Sequence, residues 1–280
     1  MTVKVVTDTL SDISFDLAAK LGITVIPLYV RFGEEIYKDR IEISPEDFYR
    51  RLVNEPKLPS TTQPSPNDFL EVYKKLATET DEILVVTISS KMSGTYQSAC
   101  QARDMMNGKP KIEVVDSLQV ALGEGLLVIA AVNAINKGAN LTEAAEVVRK
   151  GISRIHVVAY FDTLKYLAKG GRIGKASGLI GSLLSVKPIL CTKDGEMAPL
   201  TRVRSLSAGM DYIYNVVKSY PKIEGLALEH ATSRAEADKL VERIGEIYPK
   251  EKIYREIISP VIGTYTGPGA IALLLLEAEK

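Results

Sequence analysis

Cysteine is scarce: the 280 residues carry only Cys100 and Cys191, each inside an apolar stretch and neither in a Cys-x-x-Cys pair. No disulfide framework or zinc knuckle is expected, and the cytoplasm is the expected compartment. Histidine is as rare, with His156 and His230 alone and no second ligand at metal spacing, so each reads as a structural residue. An excess of charge of either sign is missing, because 35 Lys plus Arg balance 35 Asp plus Glu. A nucleic-acid binder needs a basic surplus to neutralise phosphates, so no nucleic-acid partner is expected. Long hydrophobic runs are missing too. The longest, near Leu126–Ala134 and Ala270–Leu276, fall short of the roughly 18 apolar residues of a membrane span. The chain enters a strand-like segment, Val3–Asp8, without the charged start and apolar run of a signal peptide.

What is present is an ordinary globular composition, 46% hydrophobic and 25% charged, over a length comfortable for two domains. In the first half, strand-like runs at 3–7, 23–30, 83–89 and 112–116 alternate with helix-like periodicity at 14–21, 45–53, 66–78, 94–106, 123–136 and 142–153. This pattern predicts an N-terminal α/β domain with a mostly parallel sheet. The second half places strand candidates at 156–162, 186–193, 196–203, 225–229, 253–258 and 271–275, with helices at 206–218 and 235–248. Asp194-Gly195 joins two of these runs as a type I′ hairpin turn. A C-terminal α+β domain with a mixed or antiparallel sheet is expected, the two domains being 1–154 and 155–280.

Three familiar patterns fail on inspection. Gly170–Ala176 resembles a phosphate loop, but its spacing is wrong and Ala176 stands where a magnesium-binding hydroxyl is required. Gly267-Pro268-Gly269-Ala270-Ile271-Ala272 matches a dinucleotide turn with too few residues after it for a βαβ unit. No Gly-x-Ser-x-Gly elbow occurs. What remains is a set of hydroxyl-rich loops at predicted strand ends: Asp8-Thr9, Ser60–Ser65, Ser89–Thr95 and Asp116-Ser117. Two of them open helices, at Pro66 and after Gly94, with Ser65 suited to the N-cap. Two helix N-termini with adjacent hydroxyls would offer N–H groups and partial positive charge to a carboxylate or phosphate. Gly94 permits close approach to the backbone. Arg172 and Arg202 are candidate cations.

These same stretches carry a resemblance. Asp8–Asp12, Ile26-Pro27-Leu28, Thr61–Ser65, Ser89–Tyr96, Val115–Ser117, Leu167–Ile173 and Gly267–Gly269 together resemble the DegV family of bacterial fatty-acid-binding proteins, nearly end to end. The resemblance implies a long-chain fatty acid held between the two domains and presented to a separate kinase of the dihydroxyacetone-kinase-like type. That kinase phosphorylates the carboxylate for phospholipid synthesis. It further implies a non-catalytic carrier that needs no cofactor and no metal. By motif, Thr61, Thr62, Ser93 and Gly94 would bond the carboxylate, with Arg172, Arg202 and Tyr265 beside it. Tyr265 is a departure: the family usually carries His there, and a tyrosine does not take up a proton near neutral pH.

Candidate walls for the acyl chain are Ile26, Leu28, Ile173, Leu179, Ile180, Leu183, Leu184 and Ile271. The small-residue-rich segment 176–184 is expected to act as a lid or to touch a membrane transiently. Two other readings stay open: a binding protein for another small anion, and a hydrolase using Ser93 or Asp8.

Overall fold

The computed structural model describes residues 3–180 and 186–279. The chain opens with β1 (Lys4–Asp8), α1 (Phe15–Leu21), β2 (Ile23–Ile26), β3 (Tyr29–Phe32), β4 (Glu35–Lys38) and α2 (Pro45–Asn54). It continues through β5 (Ser60–Thr62), α3 (Pro66–Leu76), β6 (Glu82–Thr87), α4 (Thr95–Met105), β7 (Lys111–Asp116), α5 (Leu122–Asn136) and α6 (Leu141–Ile152). Then come β8 (Ile155–Tyr160), α7 (Lys165–Lys169), β9 (Lys187–Lys193), β10 (Glu196–Val203) and α8 (Leu206–Ser219). The last elements are β11 (Ile223–His230), α9 (Arg234–Ile244), β12 (Ile253–Ile257), α10 (Pro260–Thr266) and β13 (Ile271–Glu277).

Two principal sheets form, as expected for an α/β unit followed by an α+β unit. The first is parallel throughout, in the order β2-β1-β6-β7. The second is mixed, in the order β10-β9-β8-β13-β11-β12, with only β11 and β12 parallel. A third, three-stranded antiparallel sheet β4-β3-β5 was not anticipated. The run 23–30 breaks into β2 and β3 around Pro27, and residues 60–62, read from sequence as a loop, pair with β3. The Asp194-Gly195 turn has φ of 53° and 81°, as a type I′ hairpin requires.

Period-two alternation assigns each strand of the mixed sheet two destinations. Val158 and Tyr160 of β8, Leu226 and Leu228 of β11, and Ile271, Leu273 and Leu275 of β13 face α8 and α9. Val157, Ala159, Ala227, Ala272 and Leu274 face the other way, toward the parallel sheet. The outer face of the parallel sheet, with Val6, Ile26, Ile83 and Val85, is closed by Phe69 and Tyr73 of α3 and Ala99 of α4. Between the two sheets lies α5, which contacts β1 and β6 on one side and β8, β11 and β13 on the other. A helix in that position needs an apolar surface all round, and nearly every residue from Leu122 to Val132 is buried.

Polar anchors fix α5 to both sheets. Thr7 Oγ1 of β1 donates to Glu124 Oε1 at 2.9 Å, and the Leu122 N–H at its first turn donates to Glu229 Oε1 of β11 at 2.8 Å. A second clasp holds α10: the Ser259 N–H donates to Asp12 Oδ2 and the Val261 N–H to Asp39 Oδ1, each at 3.3 Å. Arg40 closes this corner by donating to the carbonyls of Thr9 (2.9 Å) and Ile13 (3.1 Å).

Five carboxyl groups are thus fully buried. Burial raises Asp8 to about 7, Asp12 to about 7 against the pull of Arg40, and Asp39 to about 6. It pushes Glu124 and Glu229 well above the ordinary range, with neighbouring carboxylates adding to the rise. A carboxyl whose folded pKa exceeds its unfolded value favours folding fully below the unfolded pKa. That contribution is lost as pH rises through the folded pKa. Surface carboxylates such as Asp47 and Glu79 are shifted downward by Arg50 and Lys4, so their contributions are already complete in that window. The melting temperature is therefore expected to fall between about pH 5 and about pH 8. Asp39→Asn, which keeps an oxygen for the Val261 N–H, should show a shallower fall. An equal slope in both proteins, measured by differential scanning calorimetry, would contradict this account.

Candidate functional site

The loops after β1, β6 and β7 all leave the parallel sheet at its carboxyl edge, as the strand order requires. Most of their polar groups hold the loops to one another. Asp8 accepts from the N–H groups of Leu10 (2.9 Å) and Ile88 (3.0 Å). Asp116 Oδ1 accepts from Ser90 N (3.0 Å) and Leu118 N (3.1 Å). The Thr9 hydroxyl accepts from Leu28 N at 3.1 Å. Ser89 Oγ donates to the Gly195 carbonyl of the β9–β10 turn at 2.7 Å. The acidic and hydroxyl groups at 8–9 and 116–117 are therefore loop fasteners. Asp8, fully buried with both oxygens engaged, is not placed as a nucleophile.

These fasteners set the two sheets around a cavity of roughly 920 Å³, its open mouth included. Its floor is the inner face of the mixed sheet. Here Ala159, Ala272 and Glu229 stand in one row across β8, β13 and β11, beside the paired Val157 and Leu274. Small side chains in that row leave the room. Leu10, Ile88, Val120 and Ala121 roof it from the strand-end loops, and Leu28 from the β2–β3 link. Val261, Ile262, Tyr265 and Thr266 of α10 form one side. The lining is predominantly apolar, as that of small-molecule sites usually is.

The mouth is polar. Thr61, Gln63, Ser93, Arg172 and Tyr265 meet there. Tyr265 Oη and Thr61 Oγ1 are 2.5 Å apart, joining α10 to β5. The Arg172 guanidinium lies 4.8 Å from the Tyr265 ring centroid and donates to the carbonyls of Met92 (3.2 Å) and Gly170 (2.8 Å). Ser93 Oγ lies 2.9 Å from Thr95 Oγ1, the only side-chain partner it has among the described residues, and no base stands beside it. Gly94 caps α4 without a side chain. A Cβ there would come within 2.6 Å of Gln63 Nε2, so a larger residue would displace the Gln63 amide. Of the two helix N-termini expected at the site, only that of α4 is uncapped. The N-terminus of α3 is consumed by a capping box between Ser65 and Asp68.

The sequence reading thus comes together at Thr61, Ser93, Gly94, Arg172, Tyr265 and Leu28, and separates elsewhere. Thr62 is exposed and outside the cavity wall, because adjacent strand residues face opposite sides. Arg202 is exposed on β10 and does not line the cavity. Ile26 and Ile271 point to the outer helical layers, one residue off the inward register. Leu179 is buried in the central core and Ile173 packs against it, but neither reaches the cavity wall. Ile180 is 55% exposed, while Leu183 and Leu184 lie outside the described residues. Gly170–Ala176 forms the end of α7 and a 3-10 turn, not a strand–loop–helix phosphate cradle.

Glu229, Gln63 and α10 were missed. Ser259-Pro260 repeats the N-cap and first-turn pattern of Ser44-Pro45 and Ser65-Pro66, which was sufficient to announce α10. The two histidines are structural: His156 faces Glu277 (3.2 Å) and Tyr220, and His230 is half-buried against the Ala231 carbonyl. Among the described residues, no cluster of three metal-ligating side chains occurs, and no helix is long and apolar enough to cross a membrane.

Fold and site together define a class: a two-domain α/β protein with a largely apolar cavity between a parallel and a mixed sheet, bordered by hydroxyls and an arginine. The model of the family described as uncharacterised proteins of the DegV family matches residues 2–278. A DegV domain-containing protein of Caldanaerobacter subterraneus subsp. tengcongensis is 38% identical over 279 residues, 98% of this chain and 99% of its own. The chain belongs to the DegV family.

Solved structures agree. One is a DegV family protein from Thermus thermophilus, described by its fatty acid binding. It superposes with a TM-score of 0.92 at 30% identity, covering 99% of this chain and 100% of that one. The fatty acid binding protein DegV from Bacillus subtilis gives 0.89 at 29%, covering 99% and 100%.

The Thr61–Tyr265 contact makes a direct forecast. Tyr265→Phe removes one half-buried hydrogen bond but keeps the ring under Arg172, and should cost about 1 kcal/mol of stability. Tyr265→Ala removes both and should cost more. Urea titrations giving equal losses would deny Arg172 its aromatic seat.

Proposed function

We propose that this protein is a carrier for a long-chain fatty acid, with the carboxylate at the mouth and the acyl chain in the cavity between the sheets. The observation that supports this most is the polarity of the cavity: a predominantly apolar lining, with Thr61, Ser93 and Arg172 gathered at one opening. A carboxylate there would accept from the two hydroxyls and from uncapped amides of α4, with Arg172 supplying positive charge. Each buried methylene would add about 0.8 kcal/mol. Relatives described as fatty-acid-binding proteins share the whole fold.

The carrier role follows from where the head group would sit. Arg172 and Gln63 are exposed, so the carboxylate lies at the surface, within reach of a second enzyme. A separate kinase that phosphorylates the presented acid for phospholipid synthesis is the outlet we favour. Transient membrane contact is assigned to the turn that ends at the exposed Ile180.

Protein purified from bacterial cells should release a long-chain carboxylic acid on denaturation, detected by mass spectrometry. Ala272→Leu, which fills the cavity floor, should release none while retaining the melting temperature of the delipidated parent. Ser93→Ala and Thr61→Ala each remove a hydrogen bond to a charged group, about 1.5–3 kcal/mol, and should weaken binding roughly ten- to a hundredfold. Lipid bound equally well by all three variants would refute the assignment.

A further inference from the structure

The cavity carries a carboxyl group that a plain hydrocarbon tail does not use. Glu229 is fully buried and lines the cavity floor. Its Oε1 accepts from Leu122 N, but its Oε2 has no hydrogen-bond partner. Asp12, Asp39 and Glu124 each leave one oxygen idle as well, but none of them reaches the cavity; Glu229 alone does. Burial first, and repulsion from Asp12 next, favour its neutral form. A neutral carboxyl presents an O–H donor and a carbonyl acceptor on one side chain. A buried polar group without a partner is uncommon in native proteins and calls for an explanation.

The position of Glu229 along the cavity follows from α10. The mouth residue Tyr265 lies at the carboxyl end of that helix. Glu229 lies near its amino end, close enough to Asp12, which holds Ser259 N, for charge repulsion. At 1.5 Å per residue, seven residues separate the two ends by roughly 9 Å. An atom facing Glu229 therefore belongs to the middle of a long acyl chain, well away from the carboxylate. The buried hydroxyl of Thr266 lines the same cavity and adds to its polarity.

We infer that the cavity is built for a long-chain carboxylic acid bearing an oxygen substituent near mid-chain, a hydroxyl or an oxo group, which pairs with the idle oxygen of Glu229. This rests on the fatty-acid reading and narrows its ligand class. With Oε1 accepting from Leu122 N, the neutral carboxyl carries its O–H on Oε2, and the hydroxyl or oxo oxygen of the ligand accepts from it. An unsubstituted chain leaves Glu229 unpaired against methylenes. Glutamine at 229 keeps the bond to Leu122 N through its oxygen and turns an N–H donor to the cavity in place of the O–H. Leucine retains neither.

The test is displacement of a fluorescent long-chain fatty acid from the full-length protein by stearate and by hydroxystearates substituted next to the carboxylate, at mid-chain or at the terminus. The mid-chain isomer should bind the parent at least tenfold more tightly than stearate, and the other isomers should not. Glu229→Gln should keep most of that preference, and Glu229→Leu should abolish it. If Glu229→Leu fails to fold, the parent and Glu229→Gln profiles decide. Stearate binding without any mid-chain preference in the parent overturns this inference and leaves the carrier reading intact. Absence of binding by every acid overturns both.

Discussion

The architecture depends on one constraint: α5 must be buried on every side. A helix whose first eleven residues have almost no solvent-facing position has no stable place on a protein surface. It forces a second sheet to form opposite the first, and that requirement turns two units into one body with a continuous core from Val5 to Leu276. The two carboxyls at its start, Glu124 toward Thr7 and Glu229 toward Leu122 N, set its depth and rotation. Everything facing the cavity is referenced to that helix. Val120 and Ala121 lead into it, β11 is tied to it, and α10 is held in turn by Asp12 and Asp39.

Burial disfavours ionisation of every one of these anchors. Four of the five buried carboxyls, Asp8, Asp12, Asp39 and Glu229, share Arg40, and burying that many charges with one counter-charge is prohibitively costly. Raising their pKa values resolves the conflict, because a neutral carboxyl donates and accepts at modest desolvation cost. It also suits the cavity. A lining free of ionised side chains does not oppose an apolar occupant, and fixed positive charge appears only at the mouth, on Arg172. Arg172 is itself positioned by Tyr265 and two backbone carbonyls, so it meets an incoming anion with little further ordering.

Much of this was legible in the chain. Strand–helix alternation announced the parallel sheet, and Asp194-Gly195 announced a hairpin whose two positive φ values the structure bears out. Thr61, Ser93 and Arg172, on which motif and chemistry agreed, stand together on the cavity lining. The misses have a physical pattern. Ile26 and Ile271 are as apolar as true wall residues, and Thr62 is as polar as Thr61. What separates them is a one-residue register choice that inverts the face of a strand. Hydrophobicity alone does not reveal that choice where both faces of the sheet are covered. The carboxyl cluster was hidden for another reason. Asp12, Asp39 and Glu229 lie 27 to 217 residues apart in sequence, and only the assembled corner gives them a common environment.

The floor of the cavity makes the last step. Ala159 and Ala272 stand side by side where β8 meets β13, next to the larger Val157 and Leu274. A sheet packing against another layer for stability alone would fill that row, since unfilled apolar volume forfeits dispersion contacts and destabilises in proportion to its size. The paired alanines, the uncapped α4 terminus, the free Ser93 face and the idle Glu229 oxygen are each small costs in the isolated chain. They fall on one connected cavity, and on the proposed reading a single bound acid offsets all of them. Binding and folding are then linked, because any ligand that engages only the folded state stabilises it. The polar bonds on α5 and α10 fix the elements that wall this cavity, independently of what fills it.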